Sequence, residues 1–259
     1  MPASYAHDRF GKKVLPALPP DTRQCIQRFR RMFDMGLQGP DFFFYYNPVM
    51  KTKTGSLGGT FHNQSGQEFF TRCCAAATSE AGRAYLYGLL GHYTLDSLCH
   101  PFVDRMVSEG KARHVALESE FDRFLMAADA NPSPSTYSVS GHLKLTRGEC
   151  MTAATFFPPA TGAQVYQGVR IMAFALNFLA SGNRQKREKL LKKINPGLLD
   201  SFVPEAEVTE YARLDQELLA RFDRSLTLYP ELLAQLQAHM EHGTPLGEDF
   251  APTFETGRL

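Results

Sequence analysis

The sequence predicts an all-α fold, and three observations support that prediction. Apolar residues recur at helical spacing in several segments, alternating strand patterns are absent, and the sequence shows no internal repeat. Of 259 residues, 43% are hydrophobic, which is enough to bury a sizeable core and excludes general disorder. We therefore expect a single domain over residues 1–259, with the loop at 131–140 as the only candidate boundary.

Two helices separated by a loop are predicted before residue 79. Asp21 is expected to cap the first helix, whose apolar positions continue to Leu37. Residues 39–62 are rich in Gly, Pro, Asn, Ser and Thr, which predicts a long ordered loop. A short helix is expected over residues 64–78.

The longest helical stretch begins at Ser79-Glu80, with Pro101 as its kink or its end. Residues 111–130 form the next amphipathic pattern. Three further helical patterns in the second half of the chain cover residues 161–180, 183–194 and 208–241, and the last of them ends at Gly243.

Charge and hydropathy exclude a membrane-spanning helix and give no global attraction to nucleic acid or an anionic membrane. Lys and Arg number 28 against 27 Asp and Glu, for a net charge of +1. The most apolar run, Ile171 to Ala180, is too short to cross a bilayer. The amino terminus shows no signal peptide, so a cytoplasmic location is expected, with a secreted mature form left open. Five cysteines without a Cys-x-x-Cys motif indicate free thiols in a reducing compartment.

The predicted helices after residue 79 carry histidines and carboxylates at metal-ligand spacing. Four-residue steps place His92, Asp96 and His100 on one helical face, and His114 and Glu118 repeat the step on the next helix. The residues between them are largely apolar, and a buried polar group is costly unless it is paired or ligating. Imidazoles and carboxylates without thiolates favour zinc.

Three upstream residues fit the same site. Asp41 follows Gly39-Pro40 before an aromatic run, His62 lies at the exit of the predicted loop, and His7 lies near the start of the chain. Each of these residues alone is a weak signal. Together they bring the candidate ligands to five histidines and three carboxylates.

These motifs, in this order along the chain, resemble the bacterial zinc-dependent phospholipase C family. They resemble more remotely the zinc-dependent single-strand nucleases that share its all-α fold. The resemblance covers about residues 5–125. The helices over residues 161–241 are expected to contribute packing only.

The resemblance implies a site for up to three zinc ions. Its ligands would be Asp41, His62, His92 and Asp96 for the first ion, His100, His114 and Glu118 for the second, and His7 and Asp96 for the third. In the family an N-terminal Trp completes the third site, but this chain has no Trp. The amine of Pro2, freed by removal of Met1, is expected to take its place.

The resemblance also implies a hydrolase acting on phosphodiester bonds, in the first place a phospholipase C that cleaves a glycerophospholipid. A zinc-activated water would attack phosphorus, with Asp41 as the general base. Two alternatives stay open: a nuclease or nucleotidase on the same zinc core, for which nucleic acid would be the partner, and a non-catalytic zinc-binding homologue.

Several other side chains have both a functional and a structural interpretation. The aromatic residues at 42–46 and Phe61 would line a pocket for a quaternary ammonium group or a base, or would pack in the core. The basic run at 184–193 would make transient contact with a membrane surface, or would be a solvated helix face. Glu68 and Asp122 would support the metal ligands from behind, or would be ordinary surface charges.

Overall fold

The computed structural model describes residues 4–47, 50–130, 140–180, 184–194 and 196–256. These residues form helices and short 3₁₀ turns without a strand, which confirms the all-α prediction. The helices are α1 (Ser4–Val14), α2 (Pro20–Arg28), α3 (Arg30–Gly36), α4 (Leu57–His62), α5 (Gly66–Ala76), α6 (Glu80–Ser108), α7 (His114–Ala128), α8 (Arg147–Ala154), α9 (Gly162–Ala180), α10 (Arg184–Ile194) and α11 (Ala212–His242). The 3₁₀ turns cover Leu15–Ala17, Asp41–Phe43, Pro196–Ser201, Thr209–Tyr211 and Glu248–Phe250.

Helix α6 is the central element, and it packs against helices from both halves of the chain. Its neighbours are α1, α2, α3, α5, α7, α8 and α11. A helix surrounded in this way must be apolar around most of its circumference. Most of α6 is accordingly buried, including Tyr85, Leu89 and Tyr93.

Of the two alternatives predicted for Pro101, a kink or an end of the helix, the structure excludes the end, because α6 continues through Pro101 to Ser108. Proline costs a helix about 3 kcal/mol because it lacks the N–H group and its ring clashes with the preceding turn. Beyond Pro101 the helix buries Phe102, Val103 and Met106. Burial of three large apolar side chains outweighs that cost.

The predicted helix from residue 21 to residue 37 is two helices with a break at Phe29. Phe29 has φ −116° and ψ 42°, which is outside the helical region. The prediction of Asp21 as the N-cap is also wrong, because Pro19 occupies that position and Asp21 lies in the first turn of α2. Two prolines pre-set the helical entry, and the dipole of the helix favours a carboxylate in its first turn.

Residues 39–62 are not the continuous loop that the composition predicts, because they contain the turn Asp41–Phe43 and the helix α4. Phe42, Phe43 and Phe61 are buried in the core, where burial offsets the weak helix propensity of the glycine-rich segment. Phe44 is 37% exposed. Most of the aromatic run is therefore core.

Helices α1, α4 and α8 were absent from the sequence prediction, and several helix boundaries differ from it by a few residues. Helices α1 and α8 are short and mostly polar; α8 begins with a capping box in which Thr146 and Glu149 bond each other's backbone N–H groups. Helix α7 begins at His114, and α11 begins at Ala212 after a 3₁₀ turn. The last helix ends at Gly243, as predicted, where φ is +69°.

Parts of the sequence prediction fall outside the described residues. These are the amine of Pro2 and residues 131–139 of the candidate boundary loop. The single-domain assignment stays a prediction. Among the described residues, no helix is long and apolar enough to cross a membrane.

Candidate metal centre

Helix α6 provides the axis of the candidate site through His92, Asp96 and His100. The Nε2 atom of His92 lies 3.0 Å from Asp96 Oδ2, and the Nε2 atom of His100 lies 3.8 Å from Asp96 Oδ1. All three residues are at most 2% exposed. The four-residue spacing thus places two imidazoles around one buried carboxylate, as the sequence predicts.

Three other segments bring side chains to the same carboxylate or beside it. Helix α1 places His7 Nε2 3.2 Å from Asp96 Oδ1. Helix α4 ends at His62, whose Nε2 atom lies 3.1 Å from Asp41 Oδ1 and 3.7 Å from Asp96 Oδ2. Asp41 begins the 3₁₀ turn after α3, and its Oδ1 atom lies 3.9 Å from His92 Nε2.

Gly39 allows the backbone to pass close to His92 on its way to Asp41. Its φ is +50°, and a Cβ atom at this position would lie 2.2 Å from the His92 ring. Only glycine combines that dihedral angle with so close an approach. In the Gly-Pro-Asp motif, Gly39 is therefore sterically required and Asp41 supplies the carboxylate.

A second group of candidate ligands forms where α6 meets α7. The Nε2 atom of His114 lies 3.1 Å from Glu118 Oε1, and the Nε2 atom of His100 lies 3.4 Å from the same oxygen. The His114 side chain is 29% exposed, whereas those of His100 and Glu118 are buried. This group therefore connects the buried cluster with the protein surface.

The structure brings all eight predicted ligands into one cluster. Ligand atoms close enough to share an ion form three groups, which are Asp41, His62 and His92; His100, His114 and Glu118; and His7, His92 and Asp96. The second group is the set that the resemblance implies for the second ion. The other two groups share His92. Asp96, which the resemblance places with both the first and the third ion, falls in the group of His7 and also lies near His62. The role of these residues as ligands stays a prediction.

The histidines of the first group are oriented by backbone carbonyl groups. His62 Nδ1 lies 2.8 Å from the carbonyl oxygen of Gly58, and His92 Nδ1 lies 3.1 Å from that of Leu37. When Nδ1 carries a proton and donates it to the carbonyl, Nε2 is the nitrogen left to donate its lone pair to a metal ion bound among the carboxylates. That orientation is the one a metal ligand needs.

Electrostatics keep the carboxylates ionised despite their burial. Burial alone would raise the pKa of Asp41 and of Asp96, but the surrounding imidazoles outweigh it and lower both values. Burial would also lower the pKa of His62, yet Asp41 and Asp96 raise it to about 9. Without a metal, a proton on His62 therefore balances part of the carboxylate charge, and a metal ion bound there would have to displace it.

The residues of the cluster fit zinc. Several buried ligand atoms make no hydrogen bond within the described chain, among them His7 Nδ1, Asp41 Oδ1, Asp96 Oδ2 and His100 Nε2. Leaving a buried polar atom without a hydrogen bond costs about 1–3 kcal/mol. A small cavity of about 30 Å³ also lies against His7, Asp96, His100 and Glu118. Zinc ions in the cluster would balance the negative charge of the carboxylates and would accept the lone pairs of these buried nitrogen and oxygen atoms.

Three residues near the cluster were missed by the sequence prediction. Asp104 Oδ1 lies 3.2 Å from His114 Nδ1, and Glu255 Oε2 lies 3.0 Å from His100 Nδ1. The Phe254 ring lies 5.3 Å from that of His62. Asp104 stands four residues after His100, a spacing that was available as a signal. The sequence offered no such signal for Phe254 and Glu255, because only the tertiary fold brings the C-terminal segment to the cluster.

Glu68 and Asp122, the two predicted supporting residues, have different surroundings. Glu68 is exposed in the first turn of α5. Asp122 is buried and accepts hydrogen bonds from the backbone N–H groups of Tyr5 and Ala6, at 3.0 and 2.8 Å. It therefore holds the first turn of α1, next to His7.

Together, the all-helical fold and the buried histidine–carboxylate cluster define a class of helical proteins with a candidate site for several metal ions. The sequence model of the zinc dependent phospholipase C family matches residues 6–153. That match covers more than half of the chain and includes all eight predicted ligands. The chain belongs to the zinc-dependent phospholipase C family. No curated protein and no solved structure matches it.

Proposed function

We propose that this protein is a zinc-dependent phospholipase C that hydrolyses the phosphodiester bond of a glycerophospholipid. The observation that carries the proposal is the meeting of five histidines and three carboxylates in one buried cluster of a chain from this family. The proposed ligands of up to three zinc ions are His7, Asp41, His62, His92, Asp96, His100, His114 and Glu118.

Bound zinc would supply Lewis-acid chemistry, which lowers the pKa of water and attracts the anionic phosphodiester. The three carboxylates add a formal charge of about −3 against about +6 from three ions, which leaves a cationic site. The phosphodiester is the substrate class that such a site favours.

Asp41 is the proposed general base. Its pKa is lowered by the imidazoles of His92 and His62 against the opposing effect of burial, so it is ionised at neutral pH. Its Oδ1 atom makes no hydrogen bond within the described chain and is therefore available to accept a proton. The Nε2 atom of His62 lies 3.1 Å from that oxygen, in an ion-pair contact and not in a hydrogen bond.

The substrate is proposed to approach along the edge formed by His114 and Glu255. Both side chains are 29% exposed, whereas the side chains of the other proposed ligands are at most 7% exposed. A phosphate group of a lipid at a membrane surface would meet this edge first. Transient contact with such a surface is part of the proposal.

The test begins with metal content and hydrolysis by the wild-type protein. We expect bound zinc, turnover of phosphatidylcholine, and loss of turnover after chelation that added zinc restores. Turnover of single-stranded DNA in place of phosphatidylcholine would assign the nuclease alternative instead. Bound zinc without hydrolysis of either substrate or of a chromogenic phosphodiester would indicate a non-catalytic protein.

Asp41→Asn tests the general base. Removing a general base typically costs about 10²–10⁴-fold in rate, so we expect a loss of kcat in this range while most of the zinc stays bound. The matched control is Asp34→Asn, because Asp34 is also buried but pairs with Arg30 on α3 at 2.6 Å. Wild-type turnover by Asp41→Asn would contradict the assignment.

A further inference from the structure

We propose that Glu255, on the C-terminal segment and outside the residues that match the family, is a positioning residue for the metal set formed by His100, His114 and Glu118. It would hold His100 through Nδ1 so that Nε2 faces the ion. The inference rests on the proposed function only in that this set binds zinc. It does not depend on which substrate is hydrolysed.

The geometry separates the two nitrogen atoms of the His100 ring. Nδ1 lies 3.0 Å from Glu255 Oε2, although the angle is not that of a hydrogen bond, and Nε2 lies 3.4 Å from Glu118 Oε1. Glu255 and Glu118 therefore contact the ring at different nitrogen atoms, so Glu255 leaves Nε2 to the predicted ligand set. A carboxylate at Nδ1 instead selects the tautomer that carries its proton there.

The C-terminal segment that carries Glu255 is fixed to the helices around the site. The backbone N–H of Phe254 donates to the carbonyl oxygen of His62 at 3.1 Å. The carbonyl oxygen of Pro252 accepts from the backbone N–H of Gly66 at 2.8 Å and from the Tyr93 hydroxyl at 3.0 Å. The Phe254 side chain is fully buried. Glu255 is therefore placed beside His100 by the fold, and little entropy remains to be lost when it orients the ring.

The second metal set differs from the first in what supports its histidines. His62 and His92 have neutral carbonyl groups at Nδ1, whereas His100 and His114 have the carboxylates of Glu255 and Asp104. A carboxylate at Nδ1 makes the ligating nitrogen more basic than a carbonyl group does. The Asp104 side chain is 51% exposed and that of Glu255 is 29% exposed, so the influence of Glu255 is less screened by water.

Zinc titration of Glu255 variants tests the inference. Loss of a supporting carboxylate typically lowers metal affinity about 10–100-fold, so Glu255→Ala is expected to weaken one ion to this extent and leave the others unchanged. Glu255→Gln keeps an acceptor without the charge and should give a smaller loss. The matched control is Glu248→Gln, because Glu248 is exposed on the same segment and is expected to keep wild-type affinity.

Nitrogen-15 NMR of the histidine rings in the zinc-loaded protein gives a second readout that a purely structural role would not change. The wild-type protein should show His100 protonated at Nδ1, and Glu255→Ala should lose or broaden that signal. Unchanged zinc affinity together with an unchanged His100 tautomer in Glu255→Ala would overturn the inference, even if the melting temperature fell. If zinc binds but no phosphodiester is hydrolysed, the proposed function fails and the Glu255 comparison still gives its answer.

Discussion

Substitution of Gly88 by alanine perturbs the contact between α3 and α6, on which the geometry of the metal centre depends. A Cβ atom at Gly88 would lie 2.1 Å from the carbonyl oxygen of Phe33, 2.9 Å from the backbone nitrogen of Leu37 and 3.0 Å from the Cα atom of Gly36. These neighbours are backbone atoms and cannot rotate away. The two helices must therefore move apart by about 1 Å to remove the overlap.

The expected destabilisation combines three contributions. Overpacking of a tight contact costs about 1–3 kcal/mol or more. The separation would also lengthen the 3.1 Å contact between His92 Nδ1 and the carbonyl oxygen of Leu37 beyond hydrogen-bond distance, a loss of about 1 kcal/mol. Alanine opposes these losses by about 1 kcal/mol through its higher helix propensity. We expect a net loss of about 1–3 kcal/mol in the free energy of unfolding.

Thermal unfolding and zinc titration measure the two consequences. A loss of this size corresponds to a melting temperature about 2–12 °C lower in a chain of this length. Since Leu37 orients His92, zinc affinity should also fall about 10-fold or more. The matched control is Gly59→Ala in α4, where a Cβ atom would meet nothing within 4 Å, and its melting temperature should stay the same or rise. A Gly88→Ala protein as stable as the wild type, with unchanged zinc affinity, would refute the reasoning.

Two further predictions concern the elements that hold the site together. Phe254→Ala should lower the free energy of unfolding, measured in urea, by about 3–5 kcal/mol because the ring is fully buried. The control is Phe174→Ala, which should cost less than about 0.5 kcal/mol because Phe174 is 69% exposed. Equal costs would argue against the role of the C-terminal segment in packing. Asp129→Asn should cost about 1 kcal/mol or less at pH 7, because Arg9 on α1 pairs with Asp129 at 2.6 Å. The hydrogen bond from Arg9 lowers the pKa of Asp129 in the folded protein. The ion pair therefore stabilises the fold above the unfolded-state pKa of about 3.9, and this stabilisation is lost as the pH falls through the lower pKa of the folded state. The difference between this variant and the wild type should therefore disappear in acid, and a difference that is constant with pH would contradict the ion pair.

Local spacing allowed much of the candidate site to be predicted. The pairs His92–Asp96, Asp96–His100 and His114–Glu118 are four residues apart on helices, and a helix brings such side chains together whatever surrounds it. The order of the remaining motifs identified the family, and the family match includes them all. The chemistry of the cluster therefore followed from residue types and short distances along the chain.

Helix boundaries were less predictable where local propensity and packing disagree. Pro101 is a helix breaker by propensity, yet α6 continues because Phe102, Val103 and Met106 are buried beyond it. The break at Phe29 has no proline or glycine to signal it. In both cases the free energy of tertiary contacts exceeds the local preference of the backbone.

The sequence by itself determined the helical class, the family and the residues that could hold zinc. Tertiary structure alone decided that Gly88 lets α3 approach α6 and that Glu255 lies beside His100. These contacts join residues from about 55 to 155 positions apart, so no helical or turn period records them. They exist because burial of the surrounding apolar surfaces brings distant segments together, and that free energy is a property of the whole packed core.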